Sequence, residues 1–94
     1  MSLRLGRHNF TRVVYDEASD VLYASLPGAD PSRREATPEE DTWLFDEDGR
    51  LIGVRVMEPM ARWEREGVVK VSLPSGELER AAGIEAVLKG RSRI

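Results

Sequence analysis

Two acidic clusters in matching sequence contexts are the residues of this chain that could carry chemistry. Each cluster follows an aromatic residue and precedes an apolar run, in the stretches YDEASDVLY at 15–23 and FDEDGRLIG at 45–53. Carboxylates grouped in this way can ligate Ca²⁺ or Mg²⁺ through hard oxygen atoms. Two of them can also share acid and base roles in a hydrolysis. The candidates for a metal or a catalytic role are Asp16, Asp20, Asp46 and Asp48.

The second cluster does not follow the calcium-loop pattern. A loop that begins at Asp46 would need oxygen ligands at its fifth and twelfth positions, where Arg50 and Met57 stand. The alternative is a hairpin turn, since Asp side chains bind nearby backbone N–H groups. Gly49 can adopt positive φ, so a type I turn closed by a glycine bulge is predicted. The structural turn residues are then Asp16, Asp20, Asp46 and Gly49.

Hydrolysis by a carboxylate pair needs environments that move the two pKa values apart, usually through burial. The predicted turns are exposed, and their carboxylates converge only if both turns lie at the same end of the sheet. The chain has few residues suited to nucleophilic catalysis. It has no Cys, and its one His, His8, lies in an N-terminal segment predicted to fray. No catalytic residue, metal or cofactor is therefore predicted.

The elements that hold these clusters are two hairpins. Residues 10–15 and 21–26 are rich in β-branched and aromatic types and predict the first hairpin, and residues 41–46 and 50–57 predict the second. Between them, residues 27–40 carry three Pro and many charges, which predicts a polar loop.

The remaining elements follow the second hairpin. Residues 58–66 predict one or two helical turns, residues 68–73 alternate as a fifth strand, and residues 75–89 have the period of a helix. The expected fold is α+β: a small antiparallel twisted sheet of two hairpins plus a fifth strand, with the C-terminal helix on one face. Residues 1–94 form a single domain, with residues 10–57 as its paired-hairpin core.

The two motifs together resemble the small bacterial proteins of domain-of-unknown-function family 2283. Over roughly residues 11–60 the matching positions are Tyr15, Asp16, Asp20, Leu22, Tyr23, Asp46, Gly49, Gly53, Val54 and Val56. This chain has Arg55 where the family usually has an acidic residue. The resemblance implies a paired-hairpin sheet and assigns no catalytic residues.

Composition narrows the function classes. The formal net charge is −3, which argues against nucleic-acid binding, although Trp63 between basic residues could stack on bases. The absence of Cys predicts a reducing compartment, and there is no apolar run of transmembrane length, so the chain is predicted to be cytoplasmic and to lack a membrane contact.

Both faces of the predicted sheet carry apolar residues, and one helix cannot cover both. The uncovered face or an edge strand is therefore a candidate partner surface, and the commonest partner is an identical subunit. The expected interaction residues are Trp43, Phe45, Met57 and Trp63. The sequence predicts a non-enzymatic interaction or regulatory module, of an antitoxin-like kind, that forms a homodimer. The alternative is a small hydrolase or metal-binding protein that uses the turn carboxylates.

Overall fold

The computed structural model describes residues 1–90, which form an α+β domain and confirm the predicted fold class. In chain order, the elements are β1 Leu3–Leu5, β2 His8–Phe10, β3 Arg12–Asp16, β4 Val21–Ser25, β5 Arg33–Ala36, β6 Thr42–Phe45, β7 Leu51–Met57, α1 Pro59–Glu66, β8 Lys70–Ser72, β9 Leu78–Arg80 and α2 Ile84–Gly90.

The central sheet has five antiparallel strands in the order β3-β4-β7-β6-β5. The two predicted hairpins are β3–β4 and β6–β7, and β4 pairs with β7 to join them, with Leu22 opposite Val56 and Ala24 opposite Val54. These four residues are fully buried. Their side chains face the core, because residues opposite one another in an antiparallel pair lie on the same face.

The fifth strand of this sheet is not the one predicted. Residues 33–36, inside the expected polar loop of 27–40, form β5 and pair with β6. All four residues of β5 are exposed, so the segment has no apolar pattern that would indicate a strand. Residues 68–73 were expected to fill the place, and β8 within them pairs with β9 in a separate two-stranded sheet.

The predicted helix over 75–89 is wrong in its first half. A hairpin occupies that part, closed by the backbone bonds from Leu73 N–H to Glu77 O and from Ala81 N–H to Val69 O. Helix α2 begins only at Ile84, after Gly83, whose φ of +93° is outside the helical range. A Cβ at Gly83 would lie 2.6 Å from Ser2 O, so close packing against the N-terminal segment requires glycine here.

The N-terminal segment is ordered rather than frayed. Strands β1 and β2 form a hairpin that buries Leu3, Leu5 and Phe10 completely. Arg4 exchanges two backbone hydrogen bonds of 2.9 Å with Ala82, which attaches this hairpin to the segment before α2. The β1–β2 hairpin, the β8–β9 hairpin and α2 thus enclose one apolar cluster against one face of the central sheet.

A β-bulge between β6 and β7 alters the expected alternation of side chains. The sequence places Ile52 on the same face as Val54 and Val56, with Leu51 on the other. In the structure the register shifts at Leu44 and Phe45, Leu51 packs against the core cluster, and Ile52 is buried outside it. An extra residue on one strand reverses the alternation beyond it, which explains the exchange.

Helix α1 receives its N-terminal cap from a residue forty positions earlier in the chain. The carboxylate of Asp20 accepts hydrogen bonds from the backbone N–H groups of Met60, at 3.0 Å, and Ala61, at 3.2 Å. Glu58, which directly precedes the helix, makes no side-chain cap. Asp20 also accepts the hydroxyl hydrogen of Tyr15 at 2.8 Å, so one carboxylate fixes the first hairpin turn and the start of α1.

We expect Asp20→Gly to lower the free energy of unfolding by about 1–2 kcal/mol, the usual cost of losing a helix cap. Glycine is the suitable replacement, because Asp20 has φ of 54° and a Cβ in that region adds its own strain. Urea denaturation measures the change. The matched control is Asp16→Ala in the same turn, which removes one exposed bond to Ala18 N–H and should cost a few tenths as much; equal losses would contradict the capping role.

Candidate functional site

The two acidic turns lie at opposite ends of the central sheet. The turn with Asp16 and Asp20 is beside Met57, because Val21 pairs with that residue at the end of β7. The turn with Asp46 and Asp48 precedes the start of β7, at Leu51. The seven residues of β7 separate the turns by about 20 Å at about 3.3 Å per residue. The convergence that a shared carboxylate site requires is therefore absent.

Each turn has a local structural role. Asp46 Oδ1 accepts the N–H groups of Asp48 and Arg50 at 2.9 Å, and its Oδ2 binds Arg50 Nε at 3.0 Å. The backbone hydrogen bond from Arg50 is the largest cause that holds the pKa of Asp46 below its ordinary value. Gly49 has φ of +81°, as the predicted glycine-closed turn requires. Within residues 1–90, no three acidic or His side chains are grouped closely enough to hold a metal ion.

The expected interaction residues do not form an exposed apolar surface. Phe45 is only 5% exposed, with the Arg33 guanidinium 4.5 Å from its ring centroid. Trp43 and Trp63 pack against the core cluster, and Met57 is half-buried beside a cleft. Large aromatic side chains contribute more to stability by filling the interior than by remaining exposed, which explains the burial of Phe45 and the packing of the two Trp side chains. The interaction role of these four residues stays a prediction.

The largest concave feature in the described part of the chain is a cleft of about 720 Å³ beside α1. Its walls come from the turn before β6, from α1, and from the β8–β9 hairpin. They carry charges of both signs around a small apolar area. The charged lining residues are Glu39, Glu40, Glu58, Glu66, Arg62, Arg65 and Lys70.

A buried ion pair between Asp41 and Arg62 lies behind this cleft. The Asp41 side chain is fully buried and that of Arg62 is 15% exposed, and their Oδ1 and Nη1 atoms are 2.8 Å apart. Arg62 also donates to the carbonyl oxygens of Met57, at 3.1 Å, and Lys70, at 2.7 Å. One guanidinium therefore joins the turn before β6, the end of β7 and the edge of β8.

Burial raises the pKa of Asp41 above its ordinary value, although the N–H of Met57 and the Arg62 guanidinium act in the opposite direction. The Met57 N–H donates to Asp41 Oδ1 at 2.8 Å. Thr37 fixes the turn that presents Asp41, since its hydroxyl oxygen accepts the Asp41 N–H at 3.0 Å. Asp41 has no contact with the cleft surface, so it positions Arg62 rather than acting on a ligand.

Side chains rather than a strand satisfy the outer edge of β8. Ser72 donates its N–H and its hydroxyl to Glu39, at 2.8 and 2.6 Å, and its carbonyl oxygen accepts Trp43 Nε1–H at 2.7 Å. With the bond from Arg62 to Lys70 O, these contacts occupy the edge where a further strand would pair. They attach the β8–β9 hairpin to the central sheet without extending it.

The cleft lacks the electrostatics of acid–base catalysis by two carboxylates. Burial alone would raise the pKa of Glu39, but the hydrogen bonds from Ser72 and Thr37 outweigh it and hold that pKa below the ordinary value. Asp41, whose pKa is raised, lies behind Arg62. A catalytic pair needs one carboxyl with a raised pKa and one without, both within reach of a substrate. Two of the cleft's charged residues, Glu39 and Arg62, hold the β8 edge in place.

The second candidate surface is the face of the central sheet that points away from the core. The strand register arranges this face in rows across the strands. The first row is Arg12, Ser25, Gly53, Leu44 and Arg34, the second is Val14, Tyr23, Arg55, Thr42 and Ala36, and the third begins with Asp16, Val21 and Met57. These residues define the open face.

Two large apolar side chains are exposed side by side on the open face. Val14 and Tyr23 are opposite each other on β3 and β4, and their exposed fractions are 53% and 45%. Leu26 is 38% exposed and borders an adjoining groove of about 340 Å³, with Leu44 and Ile52 also in its lining. An exposed apolar patch rimmed by charged residues is typical of a surface that binds a partner.

The residues that organise both surfaces were not singled out from the sequence. Asp41 appears there as one more acid in an acidic segment, and only its burial against Arg62 distinguishes it. For Val14 and Tyr23 a signal existed, since the alternation of residues 12–16 and 21–25 puts them on the face opposite Leu22 and Ala24. Which of the two faces is covered depends on where the helices and the small hairpins pack, and the alternation does not indicate this.

Comparison of the chain with known protein families, with curated proteins and with solved structures finds no match. The helices of the described residues are too short and too polar to cross a membrane.

We expect Asp41→Ala to lower the free energy of unfolding by about 3–5 kcal/mol, because it leaves the Arg62 charge mostly buried without its partner. Asp41→Asn keeps an acceptor oxygen for Met57 N–H and Arg62, so its cost should be clearly smaller. Urea denaturation measures both variants, Arg62→Ala, and the double variant that combines Asp41→Ala with Arg62→Ala. This double-mutant cycle gives the coupling free energy between the two side chains. Additive single and double effects would contradict the ion pair's organising role.

The lowered pKa of Glu39 predicts a pH dependence. A carboxyl whose pKa is lower in the folded state stabilises the fold above its unfolded pKa, which is near 4.5, and loses that contribution as the pH falls through the folded value. We therefore expect Glu39→Gln to flatten the fall in stability below about pH 4.5. Thermal unfolding between neutral and acid pH measures this. The exposed neighbour variant Glu40→Gln is the control and should follow the native curve; an unchanged slope in Glu39→Gln would contradict the assignment.

Proposed function

We propose that this chain is a non-enzymatic protein-interaction module whose docking surface is the open face of the central sheet. The observation that carries the proposal is the adjacent exposure of Val14 and Tyr23 on the face of the sheet opposite the fully buried Leu22, Ala24, Val54 and Val56. Burying such a pair is favourable by roughly 25 cal/mol for each Å² of apolar area removed from water. A partner on this face would complete the second half of a sandwich.

The partner that we propose is a second copy of the chain. Homodimers with two-fold symmetry are the commonest assemblies of small proteins, and a sheet with one uncovered face is self-complementary in shape. The open face measures roughly 19 Å across five strands and about 16 Å along them, which is small beside the about 800 Å² per partner of a standard interface. The dimer is therefore expected to be weak, with a dissociation constant in the micromolar range.

A regulatory role of an antitoxin-like kind in a bacterial cytoplasm is part of the proposal. It rests on the size of the chain, on the absence of Cys, and on the resemblance to domain-of-unknown-function family 2283. The alternative of a hydrolase or metal-binding protein loses its main support, because the turn carboxylates lie at opposite ends of the sheet.

We expect Tyr23→Ser and Val14→Ser to weaken self-association by about tenfold or more, since each removes apolar area from the centre of the interface. Sedimentation equilibrium from about 10 to 200 µM, a range suited to micromolar affinity, measures the association. The matched control is Leu78→Ser, which changes a side chain that is 54% exposed but lies on β9, outside the central sheet. A native chain that stays monomeric throughout this range would overturn the homodimer.

A further inference from the structure

The open face has an asymmetric charge pattern that restricts how a second copy can bind. On β3, Arg12 and Asp16 stand on either side of Val14, and all three project from the open face. Residues i and i+4 of a strand are about 13 Å apart, which is too far for an ion pair within one chain. Both side chains are exposed, and the ion pairs found within residues 1–90 include neither.

We infer that two copies pack open face to open face about a two-fold axis that runs along the row of Val14 and Tyr23, with Arg12 of each copy opposite Asp16 of the other. This inference rests on the proposed function and adds the geometry of the interface to it. Rotation about that axis reverses the strand direction and places the first row of one copy over the third row of the other. The two charged positions of β3 then form two identical ion pairs, and the exposed Val14 and Tyr23 side chains meet their symmetry mates.

The other in-plane axis, along the central strand β7, gives a worse match. It would keep the first row over the first row and place β3 over β5 of the partner, so that Arg12 would face Arg34 at both ends. Opposed like charges across an interface cost free energy and act against that arrangement. Among the charged residues of the open face, the axis along the row of Val14 and Tyr23 brings only Arg55 near its own symmetry mate. Arg55 donates a hydrogen bond to the Thr42 hydroxyl in the same row, at 3.2 Å.

Pairing through the β5 edge is disfavoured by the same reasoning. A two-fold axis at Arg34 would place Arg34 opposite Arg34 and Arg33 opposite Glu35, two side chains that already pair with each other within the chain at 2.8 Å. An axis at Glu35 would place Glu35 opposite Glu35. Charged side chains on a short, exposed edge strand are a common means of preventing such pairing. The face rather than this edge is therefore where the second copy binds.

The size of side chains along the rows agrees with this packing. The middle of the first row projects little from the sheet, because Ser25 and Gly53 are small. Gly53 also has no space for a side chain, since a Cβ there would lie 2.8 Å from Ala24 O and 3.2 Å from a methyl carbon of Leu44. The third row has the larger Val21 and Met57 at the same strands; Val21 is only 7% exposed, so Met57 is the one of the two that a partner would contact. Rotation about the proposed axis places the small Ser25 and Gly53 of one copy over Val21 and Met57 of the other, as interdigitating sheets require.

Charge reversal tests the geometry. Arg12→Asp places two acids opposite each other, and Asp16→Arg places two bases opposite each other, so each variant should weaken the dimer by about tenfold. In the double variant R12D/D16R an acid at position 12 of each copy faces a base at position 16 of the other, so opposite charges meet again. Its dissociation constant should return to within about threefold of the native value. Sedimentation equilibrium measures all four proteins, and thermal unfolding shows whether D16R has altered the turn that Asp16 stabilises.

The outcomes separate the two proposals. Recovery in the double variant supports the axis along the Val14 and Tyr23 row, because no contact within one chain joins these two positions. A native dimer whose association is unaffected by either reversal, or is not restored by the double variant, overturns this axis and leaves the interaction module standing. A native chain that remains monomeric overturns the homodimer itself, and this inference with it.

Discussion

The buried contact between Asp41 and Arg62 is the interaction on which the arrangement of the chain depends. The central sheet, helix α1 and the β8–β9 hairpin meet at this point, and each supplies one part of the contact. A charge that has been removed from water is costly unless it is paired and hydrogen-bonded, so these partners hold each other in a narrow range of positions. The hydrophobic effect has no comparable directional preference. The ion pair therefore fixes where the small hairpin and the helix sit relative to the sheet.

Helix α1 is held at both ends by residues from other elements. Asp20 caps its first turn, and Arg62 from its middle reaches the sheet and β8. An isolated helix of eight residues is unstable in water, because the cost of its first turn is not recovered over so short a length. Its formation thus requires the hairpin turn and the buried carboxylate to be in place. The sequence indicates Asp20 only as a turn residue, and Asp41 only as one acid in an acidic segment.

The same contacts explain why the cleft beside α1 is a structural feature and the open face is the functional candidate. Within residues 1–90, the charged groups at the back of the cleft are used in holding the β8 edge, which leaves them poorly placed for a ligand. The open face has no such internal use for its exposed Val14 and Tyr23. The elements that cover the sheet lie on its other face, where the β1–β2 hairpin, the β8–β9 hairpin and α2 close the core cluster.

Local patterns alone were sufficient for the fold class, the two long hairpins and the turn at Gly49, because strand alternation and turn chemistry involve neighbouring residues only. The strand β5 could not be predicted, since its four exposed residues become a strand only by pairing with β6. The hairpin that replaces the first half of the predicted helix over 75–89 is followed by long-range backbone bonds between Ala82 and Arg4, which local patterns do not indicate. Likewise, the acids of the two turns could be named from the sequence, but their separation depended on β4 pairing with the far end of β7.

The sequence by itself determined an α+β fold of paired hairpins with acidic turns and a chain with no Cys. Only the tertiary structure decided which acids are structural, which sheet face is covered and which residues remain exposed. The physical reason is that burial and long-range pairing set the free energy of a charge or an apolar side chain, and neither is a property of the residue type. Asp41 and Asp48 have the same side chain, yet one joins three elements in the interior and the other belongs to an exposed turn.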